Sequence, residues 1–358
     1  MRKLGVQAVE DIARGAAVMA SGGGGDPYLG MVVARRTVEE FGPISLLDLD
    51  EVADDARIAV SMGLGAPTVL VEKVPRGTEP EFALEVLERS CGYAFDALLP
   101  SEAGGWNSLH PMLPAARRGL PLLDADGMGR AFPELQMVTW SVFGQSASPI
   151  GVADERGNRM LVETDDNERG EDLCRGATVM MGGNISLACY PMTGAQARAN
   201  SVAGTYTLCE EVGAILRTAR ANRVDAYDRL TERLGAIELF RGKVQDVERR
   251  TTGGFARGIA VLEGFDAYRN STFAMEFQNE FLMARRDGEP VCTAPDLIAA
   301  FDVETLTPIT GESLKYGCRA LVLGIPCAPQ WRTSEGLAVV GPAAFGYEGV
   351  QYVPVERR

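Results

Sequence analysis

Acidic side chains follow the apolar, strand-like segments in the first half of the chain. Glu72 and Lys73 end the segment GAPTVLVEK, Glu102 follows AFDALLP, and Asp124 and Asp126 lie within LPLLDADG. If these segments are neighbouring parallel strands, their carboxyl ends meet at one edge of a sheet, where such sheets bind ligands. Carboxylates placed close together raise one another's pKa, which suits general acid–base chemistry or metal binding. Each of these residues alone is also typical of a turn or an exposed loop.

Further polar residues beside these strand ends extend the predicted site. Glu134 is one more candidate acid or base, and the cations Lys73 and Arg130 and the amide of Asn107 are donors that would stabilise developing negative charge. We cannot order the catalytic roles from the sequence. The residues expected to bind substrate are Gly23, Gly24, Gly25, Asp26, Asn107 and Arg130.

The glycine run in SGGGGDPYLG lies between two predicted helices. The helical spacing of VQAVEDIARGAAVMA precedes it, and Asp26 with Pro27 is typical of a helix N-cap and first turn. Glycine allows either close approach of the backbone to a flat ligand or tight packing of two helices, and both interpretations stay open. The run lacks GK[ST] and follows a helix, so we expect no nucleotide cofactor.

Composition excludes several classes of protein. The chain has 358 residues and a formal net charge of −14, which argues against nucleic-acid binding. With one histidine, any divalent metal would need carboxylates, a cysteine or a modified lysine as ligands, and that question is left open. Seven scattered cysteines, no apolar run long enough for a membrane span and no secretory signal at the N-terminus predict a cytoplasmic protein.

The order of predicted elements indicates two domains. Residues 1–165 alternate between strand and helix, which predicts an α/β domain with a mostly parallel sheet. Residues 166–358 begin with helical segments and continue as short alternating strands, which predicts a β-rich, sandwich- or barrel-like domain with helices. The charged run ETDDNERGED marks the predicted boundary.

Two helical segments of the chain have similar sequences. EDIARGAAVMASG (10–22) aligns without gaps with EDLCRGATVMMGG (171–183). Either each half opens with the same helix followed by glycines, or the match arises by chance between two segments rich in small residues.

Taken together, SGGGGDPYLG, GAPTVLVEK, SEAGGWNSL and above all GLPLLDADGMGRAFPELQM resemble the S-methyl-thiohydantoin desulfurase family. The resemblance covers nearly the whole chain and implies a hydrolase of small cyclic amide-like rings. Its implied reaction is S-methyl-thiohydantoin to hydantoin and methanethiol, or hydrolysis of a related hydantoin-type substrate. It also implies a hydantoinase/oxoprolinase-type partner, and we expect a homo-oligomer. The alternatives are a non-catalytic accessory subunit of such a partner, and a metallohydrolase with Lys73 or a cysteine as an unusual ligand.

Overall fold

The computed structural model describes residues 1–25, 27–65, 69, 76–219, 221–252 and 255–357. The helices in these ranges are α1 (Val6–Met19), α2 (Pro27–Phe41), α3 (Glu79–Cys91), α4 (Met112–Arg118), α5 (Thr139–Val142), α6 (Asn167–Met180), α7 (Gly194–Asn200), α8 (Thr205–Thr218), α9 (Arg223–Leu234) and α10 (Ser334–Val340). Of these described helices, none has the length and apolar character needed to cross a membrane.

The strands in the same ranges are β1 (Arg2–Leu4), β2 (Ile44–Leu47), β3 (Arg57–Gly65), β4 (Ala97–Pro100), β5 (Leu122–Leu123), β6 (Ala125–Asp126), β7 (Ile150–Ala153), β8 (Arg159–Val162), β9 (Asn184–Thr193), β10 (Val202–Ala203), β11 (Ile237–Thr252), β12 (Phe255–Gly264), β13 (Thr272–Gln278), β14 (Glu280–Arg286), β15 (Glu289–Thr293), β16 (Leu297–Asp302), β17 (Pro308–Ile309) and β18 (Arg319–Ile325).

The first sheet has the order β1-β2-β5-β4-β3-β9-β7-β8. Its four central strands, β2, β5, β4 and β3, are parallel, and the flanking strands are antiparallel. The sheet is therefore mixed, with the predicted parallel strands at its centre. All four residues of β4 are buried, as expected for a strand covered on both faces. This arrangement confirms the predicted α/β domain and places the ends of β3, β4 and β5 at one edge.

Strand β9 lies beyond the predicted boundary near residue 165 and belongs to the first sheet. It pairs with β3 in the first sheet, with Cys189 opposite Val60. The physical reason is its apolar sequence ISLAC, which is buried throughout and would leave β3 as an exposed edge if it were absent. The change of sheet comes at Ile237, so the predicted boundary near residue 165 does not coincide with it.

The second sheet is antiparallel throughout, in the order β15-β14-β13-β12-β11-β18-β16-β17. It is curled, because β14 and β15 also contact β16, and it encloses its own apolar cluster around Phe240, Phe273 and Phe281. This confirms the predicted β-rich character of the C-terminal part.

Helices α1 and α6, which carry the two similar sequences, begin and end at equivalent positions. They differ in what their shared glycine contacts. Gly15 of α1 packs so tightly on α8 that a methyl group there would overlap the backbone of Cys209, whereas Gly176 of α6 has no atom within 4 Å of the equivalent position. The shared motif thus forms the same helix twice but a close helix contact only in α1.

The glycine run joins the two sheets. The Ser21 carbonyl accepts a hydrogen bond from Phe281 N (2.6 Å), and the Gly22 carbonyl accepts one from Gly311 N (2.6 Å). On the other side, Trp106 N donates to the Gly24 carbonyl (2.9 Å). These bonds fix the position of β14 relative to the ends of β3 and β4. They therefore determine which side chains of the two sheets lie close together at these strand ends.

Candidate functional site

A cavity of about 60 Å³ lies where the ends of β3 and β4 meet the turn before β14. Both sheets contribute to its lining, together with Gly24 of the glycine run. Its charged and amide side chains are Glu102, Asn107, Glu134, Arg175, Asn184, Asn279 and Glu280. A space of this volume takes a few water-sized groups or one compact ring.

Glu102 follows β4 and is only 3% exposed. Its Oε1 accepts a hydrogen bond from Nδ2 of Asn107 (2.7 Å), and Oδ1 of Asn107 in turn accepts one from Gly63 N (2.7 Å). This chain of bonds fixes the orientation of the Glu102 carboxyl group against the end of β3. Its buried Oε2 has no hydrogen-bond partner among the described residues.

Glu280 comes from the second sheet, at the first position of β14. The preceding Asn279 has a left-handed backbone (φ 59°), a conformation that asparagine tolerates, and it exchanges hydrogen bonds with Ala256. Oε1 of Glu280 accepts a hydrogen bond from Gly24 N (3.3 Å), and its buried Oε2 has no partner in the described part of the chain. Glu280 was missed at the sequence level, because AMEFQNEFLMA also contains Glu276, Gln278 and Asn279 and its pattern does not single out one acidic residue.

Burial raises the pKa of both cavity carboxyls. For Glu102, burial places the pKa well above its usual range, and repulsion from Glu280 raises it further, while the hydrogen bond from Asn107 opposes the rise. For Glu280, burial raises the pKa to about 8, although backbone N–H groups and Arg130 oppose the shift. Near neutral pH this pair therefore retains protons that exposed glutamates have lost.

Asp126 lies behind the cavity and supports Glu102. It is fully buried and accepts hydrogen bonds from Ala103 N (2.5 Å), Gly129 N (2.8 Å) and Met128 N (3.2 Å). Burial raises its pKa to about 7 despite these donors. Because Ala103 directly follows Glu102, Asp126 fixes the loop that presents the cavity carboxyl.

Asp124 and Arg130, two other predicted site residues, are bound to the protein itself. Asp124 accepts hydrogen bonds from the backbone and hydroxyl of Thr207 in the first turn of α8. The buried Arg130 guanidinium donates to the carbonyls of Pro295 (3.0 Å), Asp296 (2.8 Å) and Phe281 (3.2 Å), and so ties the first half to the second sheet. Neither residue is part of the cavity lining.

The remaining candidates differ in their distance from the cavity. Glu134 lines it and accepts a hydrogen bond from Gln136 (2.6 Å). Gly24 lines it as well, Gly23 packs directly on the Glu280 carboxyl, and Gly25 is buried with φ 74°. Glu72, Lys73 and Asp26 lie outside the described residues.

Glu134 and Arg175 also line a larger groove of about 960 Å³, which makes them the boundary between the cavity and its surroundings. Arg175 is held there by an ion pair with Glu171 and by the Phe255 ring, 4.3 Å from its guanidinium carbon. Among the described residues, no three His, Cys, Asp or Glu side chains are grouped as metal ligands.

His110, the single histidine, lies outside the cavity lining. Its two ring nitrogens are each 2.9 Å from a serine hydroxyl, of Ser61 on β3 and of Ser186 on β9. Burial lowers its pKa to about 3, so it is neutral in the folded protein. An unfolded chain protonates this histidine below about pH 6.5, so His110 lowers stability only on the acid side of that value.

The raised carboxyl pKa values predict how the free energy of unfolding changes above about pH 6.5. Glu280 and Asp126, with pKa values of about 8 and about 7, keep protons that the unfolded chain loses near pH 4. The folded state binds more protons, so the free energy of unfolding should fall from about pH 6.5 to 8, by up to ~1.4 kcal/mol per pH unit for each retained proton. Urea unfolding across this range measures the slope. Glu280→Gln should flatten it, and a rising free energy would contradict the assignment.

The chain matches family models along nearly its whole length. The model of the S-Me-THD-like N-terminal domain matches residues 7–164, and that of the C-terminal domain matches residues 165–355. A crystal structure of a protein from Chromobacterium violaceum superposes with a TM-score of 0.80 at 24% identity, covering 99% of this chain and 100% of the other. At this identity the likeness establishes the fold alone. No curated protein matches.

Proposed function

This chain belongs to the S-Me-THD-like family, and we propose that it is a hydrolase acting on a small cyclic amide-like ring. The proposed substrate is an S-methyl-thiohydantoin, or a related hydantoin-type ring. The proposed products are the hydantoin and methanethiol. The observation that carries the proposal is the pair of buried carboxyls, Glu102 and Glu280, each with an unpaired oxygen in one small cavity.

The proposed reaction needs one proton acceptor and one proton donor. Water attacks the ring carbon that carries the methylthio group, and its proton passes to an ionised carboxylate. A protonated carboxyl donates to the adjacent ring nitrogen. The added hydroxyl then becomes the ring carbonyl and returns its proton to that carboxyl as the carbon–sulfur bond breaks, and sulfur takes the proton held by the other carboxyl and leaves as methanethiol. The raised pKa values of Glu102 and Glu280 support this division, because a pair that shares one proton can supply both groups at neutral pH.

The surroundings of the pair support a planar ring as the substrate. Gly24 and Gly63 both line the cavity, and the lack of a side chain at Gly63 lets the Trp106 indole pack against the end of β3. Nε1 of Trp106, another buried polar atom without a partner among the described residues, supplies a donor for a ring oxygen. Asn107 acts as a positioning residue, because its amide holds Oε1 of Glu102.

The proposal is tested by combining elemental analysis with a thiol-release assay on the purified protein. We expect wild-type protein alone to release methanethiol from S-methyl-thiohydantoins, with one hydantoin formed per thiol. Elemental analysis of the same sample shows whether a divalent metal accompanies the activity. If turnover appears only after a hydantoinase/oxoprolinase-type partner is added, the chain is an accessory subunit and the hydrolase proposal is wrong.

A further inference from the structure

The cavity presents two acid groups that form no ion pair with a cation in the part of the chain that the structure describes. Oε2 of Glu102 and Oε2 of Glu280 are both buried and unpaired in the described part of the chain. The nearby cations are already engaged: Arg130 donates to backbone carbonyls, and Arg175 is paired with Glu171. Buried carboxyl oxygens without hydrogen-bond partners are costly, so a ligand that supplies N–H donors and positive charge would remove that cost.

A guanidinium group has the matching chemistry. It is planar, it carries its positive charge over an N–C–N unit, and its paired N–H groups suit carboxylate oxygens. The small volume restricts such a ligand to a single ring.

We propose that this cavity binds small cyclic guanidines as cations, with the N–H groups of the N–C–N unit donating to the Glu102 and Glu280 carboxyls. The inference deepens the proposed function, because an S-methyl-thiohydantoin ring protonated on nitrogen carries the same charged N–C–N unit. The inference rests on the proposed function only in placing the ring in this cavity, and ring binding can be tested without turnover. The substrate class that it assigns is a ring that binds in its protonated form, with positive charge at the carbon that water attacks.

Binding of a cation should expel protons from the pair. Glu102 faces Glu280 and Asp126, and Glu280 faces Arg130 and Glu312. These neighbouring groups are the same with and without ligand. A change in the protonation of the Glu102–Glu280 pair on binding therefore reports the charge of the ligand. Because the pair shares one proton near neutral pH, a bound cation should release about one proton to the buffer. By linkage its affinity should then rise up to ~10-fold per pH unit from about pH 6 to 8.

Titration calorimetry with 2-aminoimidazoline tests the proposal. The matched control ligand is 2-imidazolidinone, a neutral ring of nearly the same shape. Repeating the titration in buffers of different ionisation enthalpy gives the number of protons released. We expect the cation to bind more tightly than the neutral ring, with proton release and with affinity that rises with pH. Equal binding of both rings, or pH-independent binding of the cation, would overturn the proposal.

Protein variants separate this inference from the proposed function. Glu102→Gln and Glu280→Gln, checked for folding by circular dichroism, should each abolish most of the proton release. Glu40→Gln, an exposed position on α2, should behave as wild type. If methanethiol release fails while proton-linked binding persists, the proposed reaction is wrong and the cation site stands. If thiol release succeeds but 2-aminoimidazoline does not bind, the cation site is wrong.

Discussion

Glu102→Gln and Glu280→Gln are each expected to lower the rate of methanethiol release by ~10²–10⁴-fold while the protein stays folded. Glutamine keeps the size of glutamate, and its carbonyl can still accept the bond that Asn107 donates to position 102 or that Gly24 donates to position 280. What it removes is the ability to take up or deliver a proton. Steady-state thiol release, measured beside circular dichroism and thermal unfolding, checks the prediction.

The pH dependence of the same variants distinguishes the two roles. A pair that shares one proton should give the wild type a bell-shaped profile of kcat/KM, and each single variant should lose one limb of it. Glu40→Gln is the control, because it removes an exposed carboxylate on α2. If Glu280→Gln kept full activity while Glu102→Gln lost it, the second sheet would not contribute to the chemistry and the pair mechanism would be wrong.

A site residue can be predicted from the sequence when its position depends on residues close to it along the chain. Glu102 is predictable because it directly follows an apolar strand in a strand–helix–strand pattern, and parallel pairing brings such ends to one edge. The same logic selected Asp124 and Asp126, yet the Asp124 carboxyl is bound by Thr207 of α8 and the Asp126 carboxyl by backbone N–H groups, including that of Ala103. Composition and strand order identify the edge of the sheet, but not which carboxylates there have free oxygens.

The place of Glu280 in the cavity could not be predicted from the residues that surround it in the sequence. It lies far along the chain from Glu102, within a strand whose pattern gives it no distinction, and it reaches the cavity only because the glycine run bonds to Phe281 next to it. The position of β9 in the first sheet is another long-range outcome, since the pairing of Cys189 with Val60 crosses the predicted domain boundary. Features fixed by contacts between distant segments require the structure.

The glycine run shows both what the sequence predicts and what only the structure reveals. The sequence predicts a tight joint between two helices with backbone brought close to something, and the structure identifies that neighbour as the second sheet and the carboxyl of Glu280. Gly23 is the critical position, because a methyl group there would overlap Oε1 of Glu280. Gly24 has φ 66° in addition, a conformation that favours glycine.

Gly23→Ala is therefore expected to lower both stability and turnover. The added methyl group must displace the Glu280 carboxyl in a buried site, which should cost about 1–3 kcal/mol of unfolding free energy, as overpacking does elsewhere. The displaced carboxyl also loses its place beside Glu102, so thiol release should fall as far as in Glu280→Gln. Urea unfolding and the thiol assay measure the two effects.

The matched control is Gly176→Ala. This glycine lies within α6, and a methyl group there meets no atom within 4 Å. Alanine is the better helix former by about 0.5–1 kcal/mol, so this variant should be as stable as wild type or more stable, with unchanged turnover. The contrast separates a contact with Glu280 from the general effect of replacing glycine.

A double-mutant cycle with Glu280→Ala tests whether the contact itself is responsible. In that background the side chain that the methyl group would strike is gone, so Gly23→Ala should become much less destabilising. The coupling free energy between the two positions should lie within the ~0.5–3 kcal/mol found for residues in contact. If Gly23→Ala cost the same in both backgrounds, the glycine would be required by its backbone alone, and the argument that it makes room for the second carboxyl of the pair would fail.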